Sequence, residues 1–429
     1  MLGKSMSKSA AATLILFFLT ASCLISPLPV KAGSRTLVVP DDYPTIAAAI
    51  GNATQGDTVF VKKGTYEEHS LVINETITLI GEDKTTTIIH DIDPLTIEDR
   101  MFHPLESANI RFAVDDVKVT GFTLTGGMYG VDGVGNGTQI VDNIISARVL
   151  LKGSNQVVSQ NSIYHGLRCT GSHNIFAANE FLSIAGITLS GSFNIIYNNT
   201  VTEKEIVEVY GDRNIIAKNN IGSAIVASGS ENFVSANVAG TLATSGYNNT
   251  FIANDVFYGV RLGNIRNDAV NVSFYHNNFY FLPVSARPVG EKIFEVLSGV
   301  HGPVFLDNGE EGNYWSDYNG ADTDGDGIGN TPYVIHANDT KNYEFTPELA
   351  ISNIILTDNH PLMGPFDIDN IEVEMPAWEI PSFKPPSSEL FPTTFIGVSS
   401  GASVIIIVAL LVYFRKRNRQ AEDDLVKKS

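Results

Sequence analysis

Short stretches in which apolar and polar residues alternate recur along the middle of the chain, as in Ile187-Thr188-Leu189-Ser190, Val207-Glu208-Val209-Tyr210 and Ile225-Val226-Ala227-Ser228. Period two predicts β-strands. Each stretch ends at a glycine that opens a fixed spacing: asparagine three positions on, then asparagine five further. The series runs Gly171, Asn174, Asn179; Gly191, Asn194, Asn199; Gly211, Asn214, Asn219; Gly229, Asn232, Asn237; and Gly246, Asn249, Asn254. Two earlier repeats keep the glycine and the second asparagine, with Thr138 between Gly135 and Asn143 and Gln156 between Gly153 and Asn161. The glycines step by 18, 18, 20, 20, 18 and 17 residues. One strand-bearing repeat per 18–20 residues predicts a solenoid, its strands stacked coil on coil at about 4.8 Å. This is an all-β parallel β-helix. Asn143, Asn161, Asn179, Asn199, Asn219, Asn237 and Asn254 are then expected to stack as a ladder whose amides satisfy backbone groups where the chain turns.

Less regular strand signals upstream, at Thr58-Val59-Phe60-Val61, Ile77-Thr78-Leu79-Ile80 and Val117-Lys118-Val119-Thr120, predict the first coils. Before them Pro44-Thr45-Ile46-Ala47-Ala48-Ala49-Ile50 reads as a short helix with an apolar face, suited to covering an open solenoid end. The two chain ends read differently. Lys4 and Lys8, an apolar run from Ala10 to Ile25, and Val30-Lys31-Ala32 predict a signal peptide over 1–32. Phe395 to Phe414 is an uncharged run, about 30 Å long as a helix, followed by Arg415, Lys416, Arg417 and Arg419. That asymmetry predicts a single transmembrane helix over 395–414 with a cytoplasmic tail over 415–429. Five prolines between Met375 and Pro392 predict an extended stalk over 375–394. The intervening segments divide into a strand and capping helix over 33–55, the β-helix over 56–312 and a closing segment over 313–374.

Composition narrows the partners. Lys plus Arg is 28 against 47 for Asp plus Glu, a net charge of −19. Such a surface repels phosphate backbones, so no nucleic-acid partner is expected. With the signal removed, Cys169 is the lone cysteine, so the exported part has no internal disulfide. Glycosylation triplets begin at Asn52, Asn74, Asn136, Asn198, Asn248, Asn271 and Asn338.

Asp322, Asp324 and Asp326 alternate in a glycine-rich loop, the spacing by which oxygen ligands converge on calcium, with the Ile328 carbonyl as a further ligand. Tyr333 stands twelfth in place of the usual bidentate glutamate, so Asp317, Asp339, Glu344 or water would have to complete the shell.

Val39-Pro40-Asp41-Asp42-Tyr43-Pro44-Thr45-Ile46, Gly56-Asp57-Thr58-Val59-Phe60-Val61, Gly64-Thr65-Tyr66 and Thr78-Leu79-Ile80-Gly81 resemble the opening of NosD-like right-handed parallel β-helix proteins. Asn313-Tyr314-Trp315-Ser316-Asp317-Tyr318, the Asp322 to Gly329 loop and Pro361-Leu362-Met363 are similar to that family's closing segment, especially in archaeal surface proteins. The match covers most of residues 36 to 366, and the stretch from Asn338 to Asn359 departs from the family's short link. The resemblance implies a pectin-lyase-like fold, and the family name brings copper delivery into question. Copper calls for clustered Cys, Met or His, whereas His165, His173, Met101, Met128 and Cys169 are scattered, with Cys169 inward-facing, so copper is not expected. Pectin esterases open with a similar Thr-Ile and Gly-Asp-Thr-Val pattern that builds a cap and first coil, not an active site.

Catalytic β-helices need a basic residue beside calcium, or paired carboxylates on neighbouring coils. Three residues before successive glycines the outward column reads Asp132, Leu150, Arg168, Thr188, Glu208, Val226 and Ala243; one before, Val134, Lys152, Thr170, Ser190, Tyr210, Ser228 and Ser245. No acidic pair appears, and Arg168 and Glu208 are two coils, about 9.6 Å, apart. No catalytic residue is assigned. The expectation is a membrane-anchored cell-surface protein with a large extracellular β-helix that binds or organises carbohydrate or envelope partners without catalysis. A polysaccharide lyase or hydrolase is the alternative, and a copper-associated accessory role a second one.

Overall fold

A computed structural model describes residues 34–92, 108–183, 186–202, 205–263, 268–280, 294–296, 302–339 and 353–369. The segments read as signal peptide, stalk, membrane span and tail lie outside the described residues. Among the described residues no helix is long and apolar enough to cross a membrane.

The chain winds as a right-handed parallel β-solenoid. Each coil passes through three strand positions. The first builds a sheet of thirteen strands, from Thr36–Val39 and Thr58–Val61 through Val157–Ser159, Ile175–Ala177 and Ile195–Tyr197 to Val304–Phe305. The second column holds short strands such as Ser162–Ile163, Glu180–Phe181 and Thr200–Val201. The third holds Ala108–Phe112, Tyr129–Val134, Arg148–Lys152, Leu167–Thr170, Ile187–Ser190 and Val207–Tyr210. In later coils bulged strands such as Asn220–Ser228 run through both the second and third positions.

Register follows the alternation. Val158, Phe176, Ile196, Ile216 and Val234 pair Cα to Cα in successive first-sheet strands, and all are fully buried. In the second column Ile163, Phe181, Val201 and Ile221 do the same. In the third Leu151, Cys169, Leu189, Val209 and Ala227 form the matching inward file. At roughly 1.5–3 kcal/mol for each large apolar side chain, burial of these files supplies the driving force for stacking.

The corners explain the glycines and asparagines. Gly153, Gly171, Gly191, Gly211, Gly229 and Gly246 all have φ between +102° and +145°. A Cβ on Gly171 would lie 1.9 Å from the Gly153 carbonyl oxygen, so the chain there accepts only glycine. Each asparagine of the expected ladder is preceded by a residue in the left-handed region: Asp142, Gln160, Ala178, Asn198, Lys218, Ala236 and Ala253, with φ from +52° to +59°. That conformation costs roughly 1–2 kcal/mol per residue outside glycine and asparagine. The hydrogen bonds of the next residue offset it.

Asn143, Asn161, Asn179, Asn199, Asn219, Asn237 and Asn254 stand in one buried file. The backbone N–H and the Nδ2 of each donate to the Oδ1 of the next, for example Asn179 to Asn199 at 3.0 and 2.9 Å and Asn199 to Asn219 at 2.8 and 3.0 Å. The other Nδ2 hydrogen reaches back to a carbonyl of the preceding coil, as from Asn199 to Phe176 O at 2.8 Å. The file continues past the expected members to Asn277 and Asn313. It ends on a carboxylate, where Asp358 Oδ2 accepts the Asn313 N–H and Trp315 Nε1, each at 2.8 Å.

Both ends are closed. At the start the helix Ile46–Asn52 buries Ile46, Ala49 and Ile50, with Thr45 Oγ1 accepting the Ala48 N–H and Glu68 Oε1 accepting the Ile46 N–H. At the finish Tyr333–Asp339 and Asn353–Asp358 pair antiparallel beneath stacked Phe279, Trp315 and Tyr333. The stretch that begins at Asn338 supplies the second strand of this pair.

Candidate functional site

The third sheet carries a charged outer face. Outward positions on successive strands are Arg111, Asp132, Leu150, Arg168, Thr188 and Glu208, in direct register. On Arg148–Lys152 the alternation turns Arg148 and Lys152 to solvent and Val149 and Leu151 to the core. Arg168 is exposed on the next strand. None of Arg148, Lys152 and Arg168 makes an ion pair among the described residues, in a chain whose net charge is −19. Adjacent coils stand about 4.8 Å apart and Arg148 and Lys152 are about 13 Å apart along their strand, so the three cations frame an open patch.

Acidic and phenolic groups border it. Arg111 Nε lies 3.6 Å from Asp132 Oδ2. Burial pushes the Asp132 carboxyl above its ordinary range, against the pull of Arg111 and Lys152. On the other side Tyr210 is 44% exposed. Burial first, and then the Glu208 carboxylate, raise the Tyr210 phenol, while Arg168 lowers it. Thr188 separates Arg168 from Glu208 in the register, so these two charges do not touch, but both act on Tyr210. Sequence reading missed Arg148 because it lies five residues before Gly153, outside the two columns read. The period-two rule applied to the whole strand would have found it.

Asp322, Asp324 and Asp326 do come together, with one oxygen from each within 4.8 Å of the others. The Asp322 oxygens also accept the N–H groups of Gly325 and Gly327 at 2.7 and 3.0 Å, and Asp326 Oδ1 accepts the Ile328 N–H at 2.8 Å. These backbone hydrogen bonds lower the Asp322 carboxyl, Gly327 contributing most. Ile328 is bridged to Leu362, which fixes the loop's exit. Tyr333 donates its hydroxyl to Asp317 Oδ1 at 2.9 Å, tying down one expected helper.

The residues weighed for copper have other surroundings. Cys169 is buried with its thiol pushed up to about 12 by burial, and Sγ meets Gln156 Oε1 at 3.5 Å. His173 stacks on Phe193, ring centroids 5.0 Å apart.

No known family profile matches the chain. No curated protein matches it either. Solved structures do. An alginate lyase from Paenibacillus sp. str. FPU-7 is similar over 61% of this chain and 99% of its own length, at 14% identity and a TM-score of 0.37. The PL6 family alginate lyase AlyGC is similar over 64% of this chain at 12% identity and a TM-score of 0.35; the match spans 53% of AlyGC, about half its length. The mannuronan C-5 epimerase AlgE4 A-module of Azotobacter vinelandii is similar over 58% of this chain and 89% of its own length, at 12% identity and a TM-score of 0.34. These are parallel β-helix proteins of pectin-lyase-like fold. This protein's own coil topology makes it a parallel β-helix, and no residue role is transferred at such identities.

Proposed function

We propose that this is an exported, membrane-anchored surface protein that binds an acidic polysaccharide on the outer face of its third sheet, at Arg148, Lys152 and Arg168. The observation that carries this is the trio of cations, without an ion pair among the described residues, on two adjacent coils of a strongly acidic chain. An anionic repeating ligand is drawn to such a patch while the rest of the surface repels it. Exposed Tyr210 and the hydroxyls of Thr188 and Ser190 extend the face with groups suited to sugar rings. The test is calorimetric titration of the full chain with an alginate oligosaccharide and with neutral dextran. Binding to the uronate alone, weakened at least about tenfold by Lys152→Ala with Arg168→Ala and by raised salt, is the expected result. Equal affinity for dextran, or no loss in the double variant, would sink the proposal.

Polysaccharide cleavage by elimination is the second reading, favoured by Tyr210 standing on the strand of Glu208 and being acted on by both Glu208 and Arg168. In that reaction a base removes the proton α to the uronate carboxylate. The C–O bond to the departing sugar breaks, its oxygen takes up a proton, and a C=C bond forms. Arg168 would hold the carboxylate as charge develops, and Tyr210 would handle a proton. Unsaturated ends appearing with the wild type and vanishing in Arg168→Ala and Tyr210→Phe would replace binding by catalysis.

A further inference from the structure

The glycosylation triplets take on meaning once the coils are seen. Of the seven, Asn338 lies outside the residues whose side chains are described. The other six, Asn52, Asn74, Asn136, Asn198, Asn248 and Asn271, are all exposed. No asparagine of the buried file begins such a triplet. The register gives the reason. Two residues after a file asparagine comes an inward apolar side chain, as Ile163 after Asn161, Phe181 after Asn179 and Val201 after Asn199. At Asn198 and Asn248 the triplet asparagine is instead the exposed left-handed residue before a buried turn asparagine, and two residues after it the next strand opens with a side chain that is not buried: Thr200 after Asn198, Thr250 after Asn248.

Their placement is one-sided. Asn52, Asn74, Asn136, Asn248 and Asn271 each lie shortly before a first-sheet strand: Thr58–Val61, Thr78–Gly81, Gln139–Val141, Thr250–Ile252 and Val272–Tyr275 respectively. They therefore share one corner of the solenoid, where the chain enters the first sheet. Asn198 sits where the chain leaves that sheet. Among the described residues, the outer face of the third sheet and the corner joining the second sheet to it hold none.

We infer that the protein is N-glycosylated along this one corner, with Asn198 as a single outlier, so that sugar lines one edge of the solenoid and the third-sheet face is left bare. In the transfer, an asparagine Nδ2 attacks C1 of an oligosaccharide carried on a polyisoprenoid phosphate or pyrophosphate. The Nδ2–C1 bond forms, the C1–O bond to phosphate breaks, one Nδ2 proton goes to a base on the transferase, and the phosphorylated lipid departs. Each asparagine keeps Oδ1 and one N–H. At Asn136 the Oδ1 still accepts the Ser154 N–H at 2.9 Å. Thr138 of that triplet is buried, so Asn136 must be modified before its coil closes. Asn248 and Asn271 stand on neighbouring coils with Asn271 Nδ2 donating to Asn248 Oδ1, so two glycans there compete for room. The inference shares the export reading of residues 1–32 and is independent of polysaccharide binding.

The experiment is glycopeptide mass spectrometry on the full chain purified from the membranes of a host with an N-glycosylation pathway. Glycopeptides at Asn74, at Asn52 or Asn136, and at one or both of Asn248 and Asn271 are expected, with none at Asn179, Asn219 or Asn237. Asn74→Gln loses one glycan mass while alginate affinity stays unchanged, and Asn271→Gln raises occupancy at Asn248. Unmodified peptides at all six positions, sugar at Asn198 alone, sugar on a file asparagine, or a chain never cleaved before Gly33 would each overturn the inference.

Discussion

The two ends of the solenoid solve one problem with opposite electrostatics. At the start, Asp57 is 2% exposed and accepts the Arg35 backbone N–H at 2.8 Å, Arg35 Nη2 at 2.6 Å and the Thr54 N–H at 2.9 Å. The Arg35 guanidinium beside it holds its carboxyl well below the usual carboxylate range. At the finish, Asp358 is fully buried and accepts N–H groups from Asn313, Trp315 and His360 with no cation among these partners. Burial raises its carboxyl to about 6 in spite of those donors. A buried carboxylate is thus strongly favoured where a cation meets it and disfavoured where only neutral donors do. The first end relies on an ion pair with one exposed partner; the second depends on an acceptor with no neutral substitute in place.

The largest effect is expected away from both ends. Asn199→Leu leaves the Asn179 N–H and Nδ2 without their acceptor inside the wall, and each orphaned buried donor costs about 1–3 kcal/mol. A melting temperature lower by several degrees is expected, and an unchanged melting curve would mean that the file adds nothing to the stacked sheets. Next comes the comparison of ends at neutral pH. Asp57→Asn gives up a favourable ion pair, whereas Asp358→Asn gives up an unfavourable buried charge along with its hydrogen bonds, so the first substitution is expected to lower the melting temperature more. Equal losses would erase the distinction between them.

The same contrast has a sign in pH. The folded-state carboxyl of Asp57 is depressed, so its stabilising contribution is present above the ordinary aspartate range near 4 and is lost as pH falls below it. That of Asp358 is raised, so the folded state binds the extra proton between about 4 and 6 and stability declines as pH rises through that window. The decline is on the order of 3 kcal/mol at most. Chemical denaturation from pH 4 to 7 is expected to show it in the wild type and not in Asp358→Asn; a slope of the same size in both would assign the effect elsewhere. The smallest effect concerns the Asp322, Asp324 and Asp326 loop. Its sequence spacing predicts a weak calcium heat, dissociation on the order of a millimolar, that Asp324→Ala removes, and no heat in either chain would leave the loop a turn held by its own backbone bonds.

What could be read from the sequence follows from what must repeat. Gly171 and its equivalents clash if given a Cβ, and the file asparagines each serve the coil on either side, so both residues recur at every coil and announce the period. The left-handed corners leave no such trace, because Ala178, Lys218 and His276 all occupy them and the neighbouring asparagine's bonds supply the compensation. Asn277, Asn313 and Asp358 were hidden for a different reason. The connections before them are longer, and the file is completed across 23, 36 and 45 residues instead of about twenty. The outer face was legible only in part, since its strands are evident but solvent places few demands on which charges it carries.

The asparagine file has a direction. Every member gives its backbone N–H and one Nδ2 hydrogen forward, sends the other Nδ2 hydrogen back to a backbone carbonyl, and receives on its oxygen from behind, so any interior rung presents the same connectors above and below. A duplicated or deleted stretch of one full period would rejoin without a mismatched seam, whereas the terminal closures could not be copied. Gene duplication within the shaft can therefore lengthen or shorten the protein in steps of a single rung, and its length becomes a quantity that evolution can adjust almost independently of how the ends are sealed.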